Sequence, residues 1–549
     1  MSLTVLLLFQ LVPLVLAASA NDWRGRSIYQ VIIDRYALPD GANPTRCDPG
    51  KRTWCGGTWS TLRQNLDYIQ DAGFTAVWIS PVSQNYQGPT TPYGDAYHGY
   101  WVADATKLND RFGTSDDLKS LSRELHNRGM YLMVDVVVND VMATSTNPDL
   151  STYMFKNESQ FHPYCVMDWS SATSQERCWL GDTVVPLADV NTEDPTVVSA
   201  FQDWIQSLVL EHSIDGLRID AAKHVNMDFW PGFCAAAGVF CIGEVFTTDI
   251  DDVAAFQGPD ALDSVLNYPM YGAIVNAFTI PGPQNITALT DMIAQSKQKY
   301  EDCGLLGNFI ENQDNPRWHN ISVDPKQCNG FQLHVRRASR SNRHCSSFLS
   351  DHHSIPIVYY GQEQGFSGSG DPWNREPLWT SGYANTTTYQ LMSTMNQFRN
   401  FLVNSTNWVN SSMQVLAATN HSIAILKGNV ISVLTNIGSP PKDTGIPVYT
   451  PFPTETPLIN ILTCTQWPVG SNGTIDVEYA KGGVPVVLIP MNDLQGSGLC
   501  GYNNTLMSGT NYASGVQEPH RPSFGVRCTV TRFGQLAVHV FLVMISYST

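Results

Sequence analysis

At 549 residues the chain exceeds one ordinary domain, and its 43% apolar content is ample for two or three packed units, one of them large. Only 15% of residues are charged and the formal net charge is −17, which argues against nucleic acid or an anionic membrane surface as partner. A soluble protein with a neutral ligand, in preference to a phosphorylated one, is the expectation.

The first twenty residues carry an apolar run of leader length that ends in Ala18-Ser19-Ala20, a small-x-small cleavage pattern. Residues 1–20 are therefore read as a signal peptide, with the mature chain starting near Asn21. The run lacks a preceding Lys or Arg and is too short to span a bilayer comfortably. Secretion turns the twelve Cys into disulfide candidates. Cys47/Cys55, Cys165/Cys178 and Cys464/Cys500 are the expected pairs; Cys234, Cys241, Cys303, Cys328, Cys345 and Cys528 stay unassigned. Nine N-x-S/T sequons, Asn157, Asn285, Asn385 and Asn472 among them, agree with a secretory route.

From about Ser27 to Gly361 eight short β-branched and aromatic runs follow one another, most of them leading through a polar turn into a helical pattern. In order they are SIYQVIIDRY, FTAVWISPV, YLMVDVVVND, GLRIDAAKH, FCIGEVF, LDSVLNYP, LLGNFIENQD and IPIVYYGQEQ. Near-continuous apolar runs alternating with helices predict parallel strands buried on both faces, and eight closes a (β/α)8 TIM barrel. The barrel is assigned to residues 21–138 and 191–397. An excursion with little helical periodicity, 139–190, reads as an inserted domain B. Alternating strands over 398–500 read as a C-terminal antiparallel β-sandwich. Residues 501–549 form a small-residue spacer and an apolar end that resembles a GPI-anchor signal, leaving anchored and freely secreted forms both open.

One segment departs from this pattern. Lys326 to Cys345 holds five Lys and Arg and no acid, with no helical stripe where a barrel helix belongs. A gene-model or reading-frame artefact over 326–353 is the expectation, with a divergent insertion as the alternative.

Acids crowd the ends of the predicted strands: Asp140, Asp220, Glu244, Glu311 and Asp314. Carboxyl ends of barrel strands are where such folds do chemistry, and buried acids there are costly unless paired or put to use. Cleaving a glycosidic bond needs one protonated acid and one ionised carboxylate. Asp220 and Glu244 close consecutive strands, which lie about 5 Å apart, near the spacing of a retaining pair. Arg218, two residues before Asp220, shares its face and is expected to keep it ionised. Glu244, between Gly243 and Val245, is expected to have apolar company that keeps its proton.

The motifs DAYHGYW, GLRIDAAKHV, FWPGF, CIGEV, ENQDNPR and GQEQ together resemble the fungal secreted α-amylases of glycoside hydrolase family 13, from about Asp22 to Cys500. The resemblance implies the barrel with domains B and C, Asp220 as nucleophile, Glu244 as general acid/base and Asp314 as third carboxylate. It implies that Tyr100 stacks on the sugar at the cleavage point beside His98 and Trp101, that Lys223 and His224 meet the acceptor, and that Asp371 and Arg375 meet the donor. It further implies a structural Ca2+ held by Asn139, Glu176, Asp189 and the carbonyl of His224; oxygen ligands from two domains suit a hard cation. Asp135 matches the family's strand 3 acid that supports the site. An α-1,4-glucan is the implied substrate and acceptor, and a monomer is expected.

Two positions depart from the family. Asp140 and Gln313 stand where it usually carries His, and both histidines normally donate to the sugar being cleaved. Donors lost from the transition state lower hydrolysis. The same losses mark a fungal, often GPI-anchored subgroup that transfers α-1,4-glucan segments. A transferring enzyme is therefore the preferred expectation, in which Gln313 still hydrogen-bonds. An ordinary starch-hydrolysing amylase and a non-catalytic glucan-binding wall protein are the alternatives.

Overall fold

The computed structural model describes residues 18–43, 47–279, 282–283, 285–322, 354–436, 445–478 and 485–503. Most of the expected leader, the basic segment from Lys326 to Cys345 and nearly all of the tail with its anchor pattern lie outside the described residues, as do Cys328, Cys345 and Cys528.

The eight apolar runs supply eight parallel strands: β1 (Ile28–Val31), β2 (Ala76–Ile79), β3 (Tyr131–Val136), β4 (Gly216–Ile219), β5 (Phe240–Gly243), β6 (Ser264–Val265), β7 (Gly307–Asn308) and β8 (Ile355–Tyr359). Strands β1 to β6 pair in succession, β7 pairs with β8, and β8 returns to β1 with Ile28 opposite Ile357. A parallel bridge from Leu266 to Gly307 and the 2.8 Å bond from Asn267 N to Gly307 O close the ring between β6 and β7. The molecule is thus a (β/α)8 barrel.

Side chains alternate along each strand. Tyr29, Val77, Val134, Leu217 and Cys241 join the core beneath the helices, whereas Ile28, Ala76, Met133, Phe240 and Ile357 fill the lumen. The helix Ser115–Asn127 shows why the outer layer packs: Leu118, Leu121, Ser122 and Leu125 make one buried stripe, and Thr114 caps its start with Asp117. Trp23 stoppers the amino end, its ring stacked on Phe240 at 5.3 Å and its Nε1 donating to Asp215 O at 3.1 Å. Towards the carboxyl end the lumen turns polar, with Gln30, Asp135 and Arg218 all buried. This layer is the floor of the site.

The inserted segment is tied to the barrel by a short antiparallel ladder, Asp140–Val141 against Ala188–Asp189, and is cross-linked by Cys165–Cys178. The other two expected disulfides, Cys47–Cys55 and Cys464–Cys500, are also formed. Beyond the barrel, a six-stranded antiparallel sheet faces the pair Gly445–Tyr449 and Thr474–Glu478, burying Ile431, Val433, Val448, Val477 and Leu488 between them. The last barrel helix runs Thr387–Ser405, so the expected boundary at 397/398 falls inside it; the stripe Leu391, Met395, Phe398 and Leu402 continues one apolar face across that point. Among the described residues no helix is long and apolar enough to cross a membrane.

Candidate active site

At the carboxyl ends of the strands a cleft of about 560 Å³ opens, lined among others by Asp220, Glu244 and Asp314. Asp220 and Glu244 directly follow Ile219 and Gly243, which are register partners, so the two carboxylates leave neighbouring strands side by side. One buried guanidinium joins them. Arg218 Nη1 donates to Asp220 Oδ1 at 2.5 Å and to Asp135 Oδ1 at 2.9 Å, and its Nη2 lies 2.9 Å from Glu244 Oε2.

Three carboxylates around one cation cannot all be ionised cheaply. Burial first pushes Asp220 well above the usual carboxylate range, Arg218 pulls it back, and the charge of Glu244 adds to the rise. One expectation about protonation and one about surroundings are thereby corrected. Arg218 opposes the rise at Asp220 without overcoming burial. Glu244 is also not in apolar company: it accepts from Tyr268 Oη at 3.1 Å and from Ala221 N at 3.1 Å, besides facing Arg218. Adjacent residues suggested an apolar setting, but its neighbours come from other strands.

Asp314 faces Arg375 Nη2 at 3.4 Å, and Arg375 Nη1 meets Asp371 Oδ1 at 3.1 Å. Burial and the charge of Glu244 push Asp314 up to about 6, against the pull of Arg375. The remaining pair of the ENQDNPR loop is architectural. Glu311 takes Arg317 Nη1 at 2.9 Å and Trp318 N at 2.7 Å, while Arg317 Nε reaches Glu376 at 3.0 Å. A buried arginine bracketed in this way sets the loop that presents Asp314.

Tyr100, His98 and Trp101 share one wall; the His98 and Tyr100 rings are stacked at 5.8 Å, and Trp101 stands edge-on to His98 at 4.9 Å. Tyr100 N donates to His98 Nδ1 at 3.1 Å, which makes Nε2 the protonated nitrogen of a neutral ring. Burial, with Arg375 and Arg35 nearby, holds that ring neutral by lowering its pKa well below the ordinary value. His98 is therefore a hydrogen-bond donor at neutral pH and not a cation. Lys223 and His224 line the same cleft, and His224 Nδ1 contacts Gln175 O at 2.8 Å.

Gln313 is placed differently from its expected role on the substrate. It is 1% exposed and does not line the cleft. Its Nε2 donates to Tyr100 Oη at 3.1 Å and its Oε1 accepts from Gln30 Nε2 at 2.5 Å. Asp140 also lies away from the cleft wall, buried opposite Asp189 in the ladder and accepting from Asn139 Nδ2 at 3.2 Å.

The expected calcium donors can be compared with a hard cation's needs. Asn139 is 1% exposed and its Oδ1 has no hydrogen-bond partner among the described residues. Asp189 is equally buried, and its Oδ2 meets His162 Nδ1 at 2.6 Å. Glu176 sits on the short helix Ala172–Arg177, whose Gln175 carbonyl holds the His224 turn. Among the described residues no three His, Cys, Asp or Glu side chains converge as a metal site; half of this donor set is amide and carbonyl oxygen and half carboxylate, all oxygen, which fits calcium in chemistry.

Sequence reasoning passed over several cleft residues. Trp169, Phe246 and Tyr93 line it and are 64%, 53% and 42% exposed, joined by Arg52, Leu180 and Thr247. Trp169 stands edge-on to His224 at 6.0 Å, and Phe246 lies 4.8 Å from Tyr268. Exposed aromatics in a cleft are the one signal that finds them, and it exists only in three dimensions.

Known proteins agree with this geometry. The family model described as alpha amylase, catalytic domain, matches residues 30–432, and that of alpha-amylase domain C matches 415–508. Alpha-amylase 1 of Lipomyces kononenkoae is 43% identical over 494 residues, covering 88% of this chain and 76% of that protein. Alpha-amylase mde5 of Schizosaccharomyces pombe is 38% identical over 520 residues, 92% of this chain and 96% of its own. The solved α-amylase of Malbranchea cinnamomea superposes with a TM-score of 0.82 at 38% identity over 88% of this chain and all of that one. The chain belongs to the α-amylase family.

Proposed function

We propose that the protein cleaves α-1,4-glucosidic bonds of starch-like glucans with retention, and that the glycosyl group passes to another glucan more often than to water. Asp220 attacks the anomeric carbon as Glu244 protonates the leaving oxygen. Glu244 then takes the proton of an incoming hydroxyl, which displaces Asp220. The double displacement needs Asp220 ionised beside Arg218 and a proton on Glu244 once the sugar is bound. Asp314 and the His98 Nε2–H hold sugar hydroxyls. Family membership and the adjacent carboxylates support the reaction class.

The preference for transfer rests on one observation. One N–H of the Gln313 amide is committed to Tyr100 and its carbonyl to Gln30, and the residue is 1% exposed and does not line the cleft, where the family usually presents a donor to the sugar. Weakened transition-state contacts slow release to water, a nucleophile with no binding energy of its own. A sugar acceptor brings contacts with Trp169, Phe246, Lys223 and His224, and that remote binding energy offsets the loss. An ordinary hydrolysing amylase is the alternative, with the exposed cleft aromatics serving leaving-group binding alone. Incubation with maltoheptaose and chromatography over time tests the choice: products longer than the substrate support transfer, and only shorter ones reject it.

Calcium is proposed as a structural ion held by Asn139, Asp189, Glu176 and the His224 carbonyl. When bound it supplies no reaction chemistry but ties the inserted segment to the turn after Asp220. Secretion, with or without a lipid anchor, completes the proposal.

A further inference from the structure

We propose that Gln30, in the first barrel strand, is a positioning residue for Tyr100 and acts through Gln313. The bonds run in one direction. Asp135 accepts from Tyr100 Oη at 2.9 Å, as well as from Trp78 Nε1 at 3.1 Å and Arg218 Nη1 at 2.9 Å. With its proton given to Asp135, the Tyr100 hydroxyl has only lone pairs left to offer and must receive from Gln313 Nε2, at 3.1 Å. The Gln313 amide is thereby oriented with Oε1 pointing away, and the group that meets Oε1 must be a donor. Gln30 Nε2 meets it at 2.5 Å.

Gln30 is 2% exposed, and its own Oε1 has no hydrogen-bond partner among the described residues. An interior amide that leaves its carbonyl unsatisfied while its NH2 is engaged is being held for its donor. A lone filler of the lumen would need no amide, and the apolar side chains Ile28 and Ile357 fill the layer below. The chain Gln30–Gln313–Tyr100–Asp135–Arg218 links the first strand to the cation beneath Asp220, and Tyr100 is its member in the cleft wall. With both ends fixed, the phenol ring keeps one tilt against the sugar. Loss of the Gln30 donor lets the Gln313 amide rotate and present Oε1 to Tyr100, which then competes with Asp135 for the same proton.

The inference rests on the glycosidase reading for its readout and is tested by a double-mutant cycle on maltoheptaose cleavage, counting all broken bonds whatever their acceptor. Gln30→Met, Tyr100→Phe and the double variant are compared in kcat, KM and Tm. Gln30→Met is expected to lower kcat roughly tenfold with KM within about twofold, and to change kcat less than about twofold when Tyr100 is already Phe. Losses that multiply, or a Gln30→Met enzyme equal to the parent, overturn it. If Gln30→Met does not accumulate folded, Gln313→Met breaks the same link and is read in the same way. A parent enzyme that cleaves nothing refutes the glycosidase reading itself, a result distinct from an active parent with multiplying losses.

Discussion

Arg218 and Asp220 are joined at 2.5 Å, and the same guanidinium lies 2.9 Å from Glu244. One cation therefore serves both carboxylates of the proposed double displacement, and the reaction moves a proton and a sugar across a charge that stays in place. Asp220→Asn removes the attacking oxygen anion and keeps the shape and the hydrogen bond to Arg218. Turnover is expected to fall by about 10⁴-fold or more, with maltoheptaose affinity within a few-fold of the parent. Calorimetric titration beside a rate assay checks both halves, and retained turnover would refute the nucleophile.

The pH profile should carry the mark of Asp314. Its folded pKa, raised to about 6 by burial and by the charge of Glu244, means that the ionised form needed to hold sugar hydroxyls is lost as pH falls through about 6. The acidic limb of kcat/KM is expected there. Arg375 lowers this pKa, so Arg375→Met should move the limb to higher pH. A limb that stays in place or moves down would separate it from Asp314.

Calcium should raise the thermal midpoint. At a calcium concentration about 100 times its Kd, an ion bound only by the folded state adds about 2.7 kcal/mol. Asn139→Ala is expected to abolish the difference between calcium and chelator in thermal unfolding. An equal difference in parent and variant would place the ion elsewhere.

Glu311 and Arg317 make a structural prediction. Both are fully buried and 2.9 Å apart, so Glu311→Ala leaves a guanidinium in the interior with Glu376 as its remaining carboxylate. Breaking such a pair costs about 3–5 kcal/mol. Denaturant unfolding measures it, and a change below about 1 kcal/mol would show that Glu376 alone suffices.

Trp169 and Phe246 should set the fate of the glycosyl group. Phe246→Ala and Trp169→Ala remove exposed aromatic faces beside Lys223 and His224. The transfer-to-hydrolysis ratio is expected to fall roughly tenfold in each, with cleavage rates changing less. An unchanged product ratio would dissociate these rings from the acceptor.

The legible part of this protein is what depends on near neighbours in the chain. Eight apolar runs specify eight strands because parallel strands are buried on both faces, and acids at their ends announce the cleft. Closely spaced Cys47/Cys55 and Cys165/Cys178 pair as expected, since short loops hold them together. The illegible part is what distant segments assemble. Gln30 reads as an interruption in an apolar strand until Gln313, 283 residues on, is found against it. The polar setting of Glu244 depends on Tyr268, and the cleft lining draws Trp169 and Phe246 from separate loops. Gln313 looked like a substrate contact from its motif; its burial behind Tyr100 is a property of the closed barrel.

The two fates of the covalent intermediate, release to sugar and release to water, can be counted. Turnover of maltoheptaose in ¹⁸O-labelled water, followed by mass spectrometry of all products, counts the two fates directly, because hydrolysis places one label per cleaved bond and transfer places none. Label in fewer than about half of the cleavage events is the predicted result. One label for every bond cleaved would contradict it and identify a hydrolysing amylase.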